Sequence, residues 1–254
     1  MDINLVFVCL GLFFVSILYS SVGHGGASGY LAILSLSTFA TMETGWLKQQ
    51  AWCLNLVVAA IAFYHYYKAG FFEKKLTIPF ILGSIPFAIL GGYLKIDSGI
   101  YEFLLSITLI WAAYKLYFIK NGVFENKNKN KIPNLNISIP TGAGIGFLSG
   151  IVGVGGGIFL SPIILIKKWA DPKTVAATSA LFIWVNSAAG LFGAGISHQL
   201  QIDLSILFPF IVVVLIGGGI GSKFGSIANQ NLVKYLLVFV LIVAATKQLL
   251  KIML

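Results

Sequence analysis

Thirteen residues in the middle of the chain limit what it can fold into. Gly150-Ile151-Val152-Gly153-Val154-Gly155-Gly156-Gly157-Ile158-Phe159-Leu160-Ser161-Pro162 holds five glycines and a proline inside a long apolar segment. Glycine costs a helix about 1 kcal/mol per residue and proline about 3, so an uninterrupted helix through this stretch is unfavourable. In a bilayer, irregular backbone of this kind is tolerated only where protein buries it or where it lines a cavity. The stretch reads either as small residues for close helix packing or as a broken helix whose unpaired amides face a ligand. An upstream copy, Val22-Gly23-His24-Gly25-Gly26-Ala27, stands 130 positions before Val152 to Gly157. A break that recurs once per half is the sequence pointer to a secondary transporter's binding site.

The surroundings of both breaks are those of a membrane protein. Of 254 residues, 58% are hydrophobic and 10% charged, where a soluble domain carries about 25% charged residues. The mean hydropathy is +0.92, and apolar runs of about 20 residues recur along the whole length, as spanning helices require. The expected class is an all-α polytopic integral membrane protein, with the lipid bilayer as its solvent. Met1-Asp2-Ile3-Asn4 is not basic and no small-residue cleavage site follows, so the first apolar run is expected to be retained. Cys9 and Cys53 both lie in apolar segments and read as small hydrophobes, with no disulfide framework, metal site or cofactor implied.

Taken in order, Leu5 to Phe39 is a 35-residue apolar segment interrupted at Gly23-His24-Gly25-Gly26. As one straight helix it would measure about 52 Å against a hydrocarbon core of about 30 Å. It must therefore fold back at the break as a re-entrant hairpin, or cross as two short tilted pieces. Trp46 to Tyr67 is the next span, closed by Tyr64-His65-Tyr66-Tyr67, which reads as an interfacial aromatic belt. Leu76 to Leu94 and Ile100 to Ile119 follow, and the polar linker Asn121 to Asn136 divides the chain. The second half replays the first, with Ile137 to Trp169 broken, then Lys173 to Gly195, Leu204 to Phe224 and Leu232 to Leu250. Pro79-Phe80 matches Pro209-Phe210, Gly91 matches Gly221 and Glu73 matches Asp203, each at a spacing of 130. The expected organisation is a first transmembrane repeat over 1–120, a cytoplasmic linker over 121–136 and a second repeat over 137–254.

Every basic residue is a lysine, and the net charge is +9. Because the lysines sit in short loops, the charge reflects the positive-inside bias rather than a nucleic-acid partner. If each broken segment returns to its starting side, the repeats are inverted and the linker side carries thirteen lysines against four. If each crosses once, the split is ten to seven. The rule prefers the inverted arrangement, each half a broken segment plus three spanning helices. A multi-pass protein of the cell membrane is expected, with both termini outside and the linker in the cytoplasm.

Inversion would set the two breaks against each other near the midplane. Each is followed by a half-helix whose free N–H groups and positive dipole end favour an anion. Gly23, Gly25, Gly26, Gly153, Gly155, Gly156 and Gly157 would let that backbone approach a ligand closely. His24 reads either as a buried histidine held by the break or as a contact to the anion or a proton carrier. Asn55 and Asn186 could join helices or offer N–H donors to an oxyanion. Thr178 and Ser179 are further donors unless they bond back to their own helix. Trp52 and Trp184 read as packing or cavity wall, and Glu73, Asp203 and His198 as solvated groups or helix caps. Gly142-Gly146-Gly150 and Gly217-Gly221-Gly225 have the four-residue spacing of close helix packing. No carboxylate falls in the middle of a span, so the usual acidic ion relay is missing.

The run Gly153 to Pro162, then Val175-Ala176-Ala177-Thr178-Ser179, then His198 with Asp203 five residues on, resembles the sulfite exporter TauE/SafE family. Tyr67-Lys68-Ala69-Gly70-Phe71-Phe72-Glu73 matches the same plan in the first half. There His24 interrupts the glycines, no proline follows the break, and Gln49-Gln50-Ala51-Trp52 replaces the Ala-x-x-Thr-Ser-like run. The resemblance implies export or exchange of sulfite or organosulfonates. The function expected is a secondary carrier of such a small anion, with an anion channel as the alternative. A membrane-embedded enzyme would need clustered histidines, cysteines or carboxylates, and a scaffold would not need two matched breaks. Direction, coupling ion and any homo-oligomeric state stay open.

Overall fold

Among the described residues, helices account for the regular structure. A computed structural model describes residues 3–95 and 132–233, with Tyr235, Leu236, Phe239 and Ile242 beyond them. The expected span Ile100 to Ile119, most of the linker and most of Leu232 to Leu250 lie outside the described residues. The first half gives α1 (Ile3–Ser20), α2 (Ala27–Ser35), α3 (Thr44–Lys68) and α4 (Lys74–Tyr93). The second gives α5 (Leu135–Val152), α6 (Gly157–Ile166), α7 (Pro172–Ile196) and α8 (Leu204–Ile227). Helix α5 begins inside the stretch expected to be linker. Among the described helices, α4, α5, α7 and α8 are long and apolar enough to span a membrane. Helix α3 is as long as α7 at 25 residues but more polar.

The duplication reaches the helix ends. Glu73 and Asp203 are the N-caps of α4 and α8, accepting the Lys75 amide at 3.2 Å and the Ser205 amide at 2.9 Å. Pro79 and Pro209 each lie in the second turn of these helices. Asp171 caps α7, taking the amides of Lys173 and Thr174 at 3.1 Å each, with Pro172 at the first helical position. The expectation that the loop acids cap helices therefore holds for Glu73 and Asp203.

Glycine rows decide which helices touch. On α5, Gly142, Gly146 and Gly150 lie against the backbone of Phe80, Ser84 and Ala88 on α4. On α8, Gly217, Gly221 and Gly225 lie against Phe13, Ile17 and Ser21. Residue numbers rise together in both pairs, so α5 runs parallel to α4 and α1 parallel to α8. Gly190 meets Trp52, and Ser187 accepts from Asn55, so α3 and α7 run antiparallel. Helix α3 runs parallel to α8, with Val58 at Gly218 and His65 at Ser222, and α7 parallel to α4, with Thr77 at Thr178 and Tyr93 at Gly193. Equivalent helices of the two halves thus point in opposite directions, and each broken helix packs on the other half's fourth element.

The broken segments turn back on themselves. Trp169, just past α6, lies 6.0 Å by ring centroid from Phe80 on α4, beside the turn of α5 that holds Gly142. Phe39, just past α2, stacks on Trp46 near the start of α3 at 5.5 Å. The aromatic belt expected at the end of α3 is divided: Tyr64 and Tyr67 are exposed, whereas Tyr66 is fully buried and donates to the Ser21 carbonyl at 2.6 Å. A phenol whose hydroxyl caps a helix end cannot also sit in the interface.

Candidate functional site

Each break has its own local logic. After α1, Gly23 adopts φ 73°, the His24 amide returns to the Tyr19 carbonyl at 2.9 Å, and the Gly23 amide returns to Ser20 at 3.0 Å. This is the Schellman termination, in which glycine relieves the left-handed strain. Gly26, at φ 105°, then caps α2 without a side-chain partner. After α5, Gly153, Gly155 and Gly156 adopt φ of 82°, 73° and 82°, and Gly156 likewise caps α6 without a side chain. Each half-helix therefore starts with its positive dipole end uncapped by its own sequence.

The two breaks meet around α3 and α7. The Ala27 amide at the start of α2 donates to Asn55 Oδ1 at 3.1 Å, and Asn55 Nδ2 donates to Ser187 Oγ at 3.3 Å. A Cβ on Gly25 or on Gly155 would run into this carboxamide, so one asparagine touches both breaks. His24 Nε2 and Ser161 Oγ share a hydrogen bond at 2.9 Å, and Ser161 Oγ shares another with Ser179 Oγ at 2.7 Å. That row links the first break to α6 and α7. His24 Nδ1 is buried without a partner. The ring borders a cavity of about 10 Å³, lined also by Tyr19, Ser28, Gly26, Val154 and Ile183, with Tyr19 Oη and Ser28 Oγ 2.9 Å apart. This is room for about one water.

The sequence-derived residues are gathered unevenly. Gly25, Gly26, Asn55, Gly155, Gly157 and Ser179 converge on this junction. Gly23 lies at its edge against the Ala176 backbone, Gly153 against the Lys48 side chain, and Gly156 against Phe182. Thr178 faces away, sharing a hydrogen bond with Thr77 on α4 at 2.9 Å. Asn186 donates back to the Phe182 carbonyl at 2.8 Å, leaving its Oδ1 buried and unpaired. Trp52 is buried and Trp184 is 41% exposed, so the two tryptophans have different roles.

The chain matches the model of the Sulfite exporter TauE/SafE family over residues 8–247. It belongs to the TauE/SafE family. The TauE/SafE chain is 34% identical over 230 residues to the probable membrane transporter protein y4hK of Sinorhizobium fredii, covering 89% of this chain and 90% of that one. It is 25% identical over 184 residues to the probable membrane transporter protein YunE of Bacillus subtilis, covering 66% and 65%. A second Bacillus subtilis relative, the probable membrane transporter protein YdhB, is 23% identical over 241 residues, covering 89% and 93%. No solved structure matches. The protein is a multi-pass membrane transporter and not an enzyme.

Two groups at the TauE/SafE junction escape a reading of glycines and amides. Ser161 stands inside the glycine-rich run, and its position 130 earlier is Leu31, so the repeat itself gives no reason to single it out. Lys48, counted among loop lysines, is instead buried and donates to the Ile151 carbonyl at 3.1 Å. The available signal was a lysine two residues inside an apolar span. Lys173 is similarly buried, donating to the Ser226 carbonyl at 2.9 Å. One lysine leaves each side of the count, so the asymmetry persists.

Proposed function

We propose that this transporter is a secondary carrier of a small sulfur oxyanion, sulfite or a short organosulfonate, bound between the two glycine breaks. The observation that carries the reading is the meeting of two half-helix starts whose N-cap residues, Gly26 and Gly156, offer no side chain, beside an Asn55 that accepts the Ala27 amide and borders Gly155. Each start contributes roughly +0.5 elementary charge, and no acidic side chain lies in either break to reverse that field. The family description supplies the sulfur chemistry. A cavity of about 10 Å³ is too small for a three-oxygen ion, so the breaks must separate to bind one. A site that is closed at rest and has to open around each ion favours a carrier over a channel. The lysine distribution supports termini outside and the linker inside.

The test is uptake into liposomes containing the purified protein, with sulfite, methanesulfonate, sulfate, a neutral sulfone and a small amine. Accumulation of the sulfur anions, with none of the sulfone or amine, is expected. Transport of the amine without any anion refutes the reading.

A further inference from the structure

The helices leading into the two breaks end in chemically different ways. Ser21 and Ile151 stand 130 positions apart, and each offers a carbonyl at the end of its helix. The Tyr66 hydroxyl donates to the Ser21 carbonyl at 2.6 Å, and the Lys48 ammonium to the Ile151 carbonyl at 3.1 Å. Both groups come from α3, one near each end, with Asn55 between them. The first cap is neutral. The second places a full charge on a residue that is 9% exposed.

Capping alone does not call for that charge, because a hydroxyl performs the same task in the other half and a buried cation is the costlier choice. Lys173 offers the contrast. It also caps a carbonyl, with its ammonium 4.8 Å from the Phe71 ring centroid, but the Asp171 carboxylate acts on it. Among the described residues no carboxylate pairs with Lys48. Its ammonium lies 5.6 Å from the Trp52 ring centroid, and the buried Trp52 Nε1 has no hydrogen-bond partner. Its stem packs on Gly153, next to Val154 of the cavity wall.

We infer that Lys48 is the counter-charge of the transported anion at the second break, with the Trp52 indole N–H as an adjacent donor. This rests on the anion reading of the site. Ammonium and indole are donors without acceptor capacity, so together they select an acceptor-rich anion over an amine. The two helix ends are then unlike: the cation at the second break serves the site, whereas the phenol at the first serves only the Ser21 carbonyl.

Titration calorimetry of the purified full chain with sulfite and methanesulfonate tests the assignment. Lys48→Gln keeps a donor for the Ile151 carbonyl and loses the charge, and should weaken binding at least tenfold with little change in melting temperature. Lys48→Arg should bind within about threefold of the parent. Tyr66→Phe, which removes the neutral cap, should lower the melting temperature and leave affinity unchanged. Parental affinity in Lys48→Gln, or equal losses in the Gln and Arg variants, overturns the assignment. Failure of both Lys48→Gln and Lys48→Met to fold overturns it as well, since the charge would then belong to the resting structure. Absence of binding by the parent counts instead against the anion reading itself.

Discussion

Asn55 shows how much one buried amide can hold. It gives α2 the N-terminal acceptor that Gly26 lacks, reaches Ser187 on α7, and fills the space that glycine leaves at 25 and 155. Its presence in an apolar span was readable as polar glue or as a donor to substrate. In the structure one of its two N–H donors goes to Ser187 Oγ, which fills the first role and leaves the second N–H outside that bond. The hydroxyls divide in the same way. Ser179 belongs to the His24–Ser161 row, whereas Thr178, its neighbour in sequence, joins α7 to α4 through Thr77. A hydrogen bond of this kind contributes about 1 kcal/mol. Thr178→Val is expected to lower stability by that amount and to leave transport per folded molecule unchanged. Ser179→Ala loses the bond to Ser161 at a similar cost in stability and is expected in addition to reduce transport per folded molecule. Vesicle uptake normalised to folded protein, with a thermal melt of each variant, distinguishes the two.

Helices here are placed by glycine more than by an amphipathic stripe. Gly144 has open space where a Cβ would stand, while Gly146, half a turn away, faces the Ser84 backbone. Alanine at Gly144 should be neutral or stabilising by up to about 1 kcal/mol, because glycine in a helix interior carries that entropic cost. Alanine at Gly146 must push α5 from α4 and should lower the melting temperature. Equal effects of the two substitutions would contradict the packing described. The caps act at the same level. Asp171→Ala removes the acceptor for two amides at the start of α7 and is expected to cost about 1 kcal/mol.

The arrangement of the halves gives the molecule its polarity. Lys68, Lys173 and Lys223 gather at one end, with His65 close to Lys68 and Lys223 and the Lys173 ammonium beside Phe71. If that end is cytoplasmic, a single cysteine near Lys129 should be protected from an impermeant thiol reagent applied to intact cells, in a background lacking Cys9 and Cys53. A cysteine near Leu254 should be labelled. The opposite pattern would reverse the proposed orientation.

The sequence alone determined the membrane class, the two breaks, the matching of the described helices between the halves and, apart from the start of α5, their approximate positions. These follow from local chemistry: apolar runs of spanning length, glycine where left-handed backbone is needed, acids at helix starts. It also determined that Gly142-Gly146-Gly150 and Gly217-Gly221-Gly225 would meet other backbones, though not which ones. Only the tertiary structure decided that α5 lies on α4 and α1 on α8, that Tyr66 leaves the interface for the Ser21 carbonyl, and that Lys48 is buried at a break. A helix apolar on most faces carries no stripe to show which side turns inward. The facing of Thr178 and Ser179, or of Lys48 and Gln49, depends on rotations and crossings fixed by partners more than a hundred residues away.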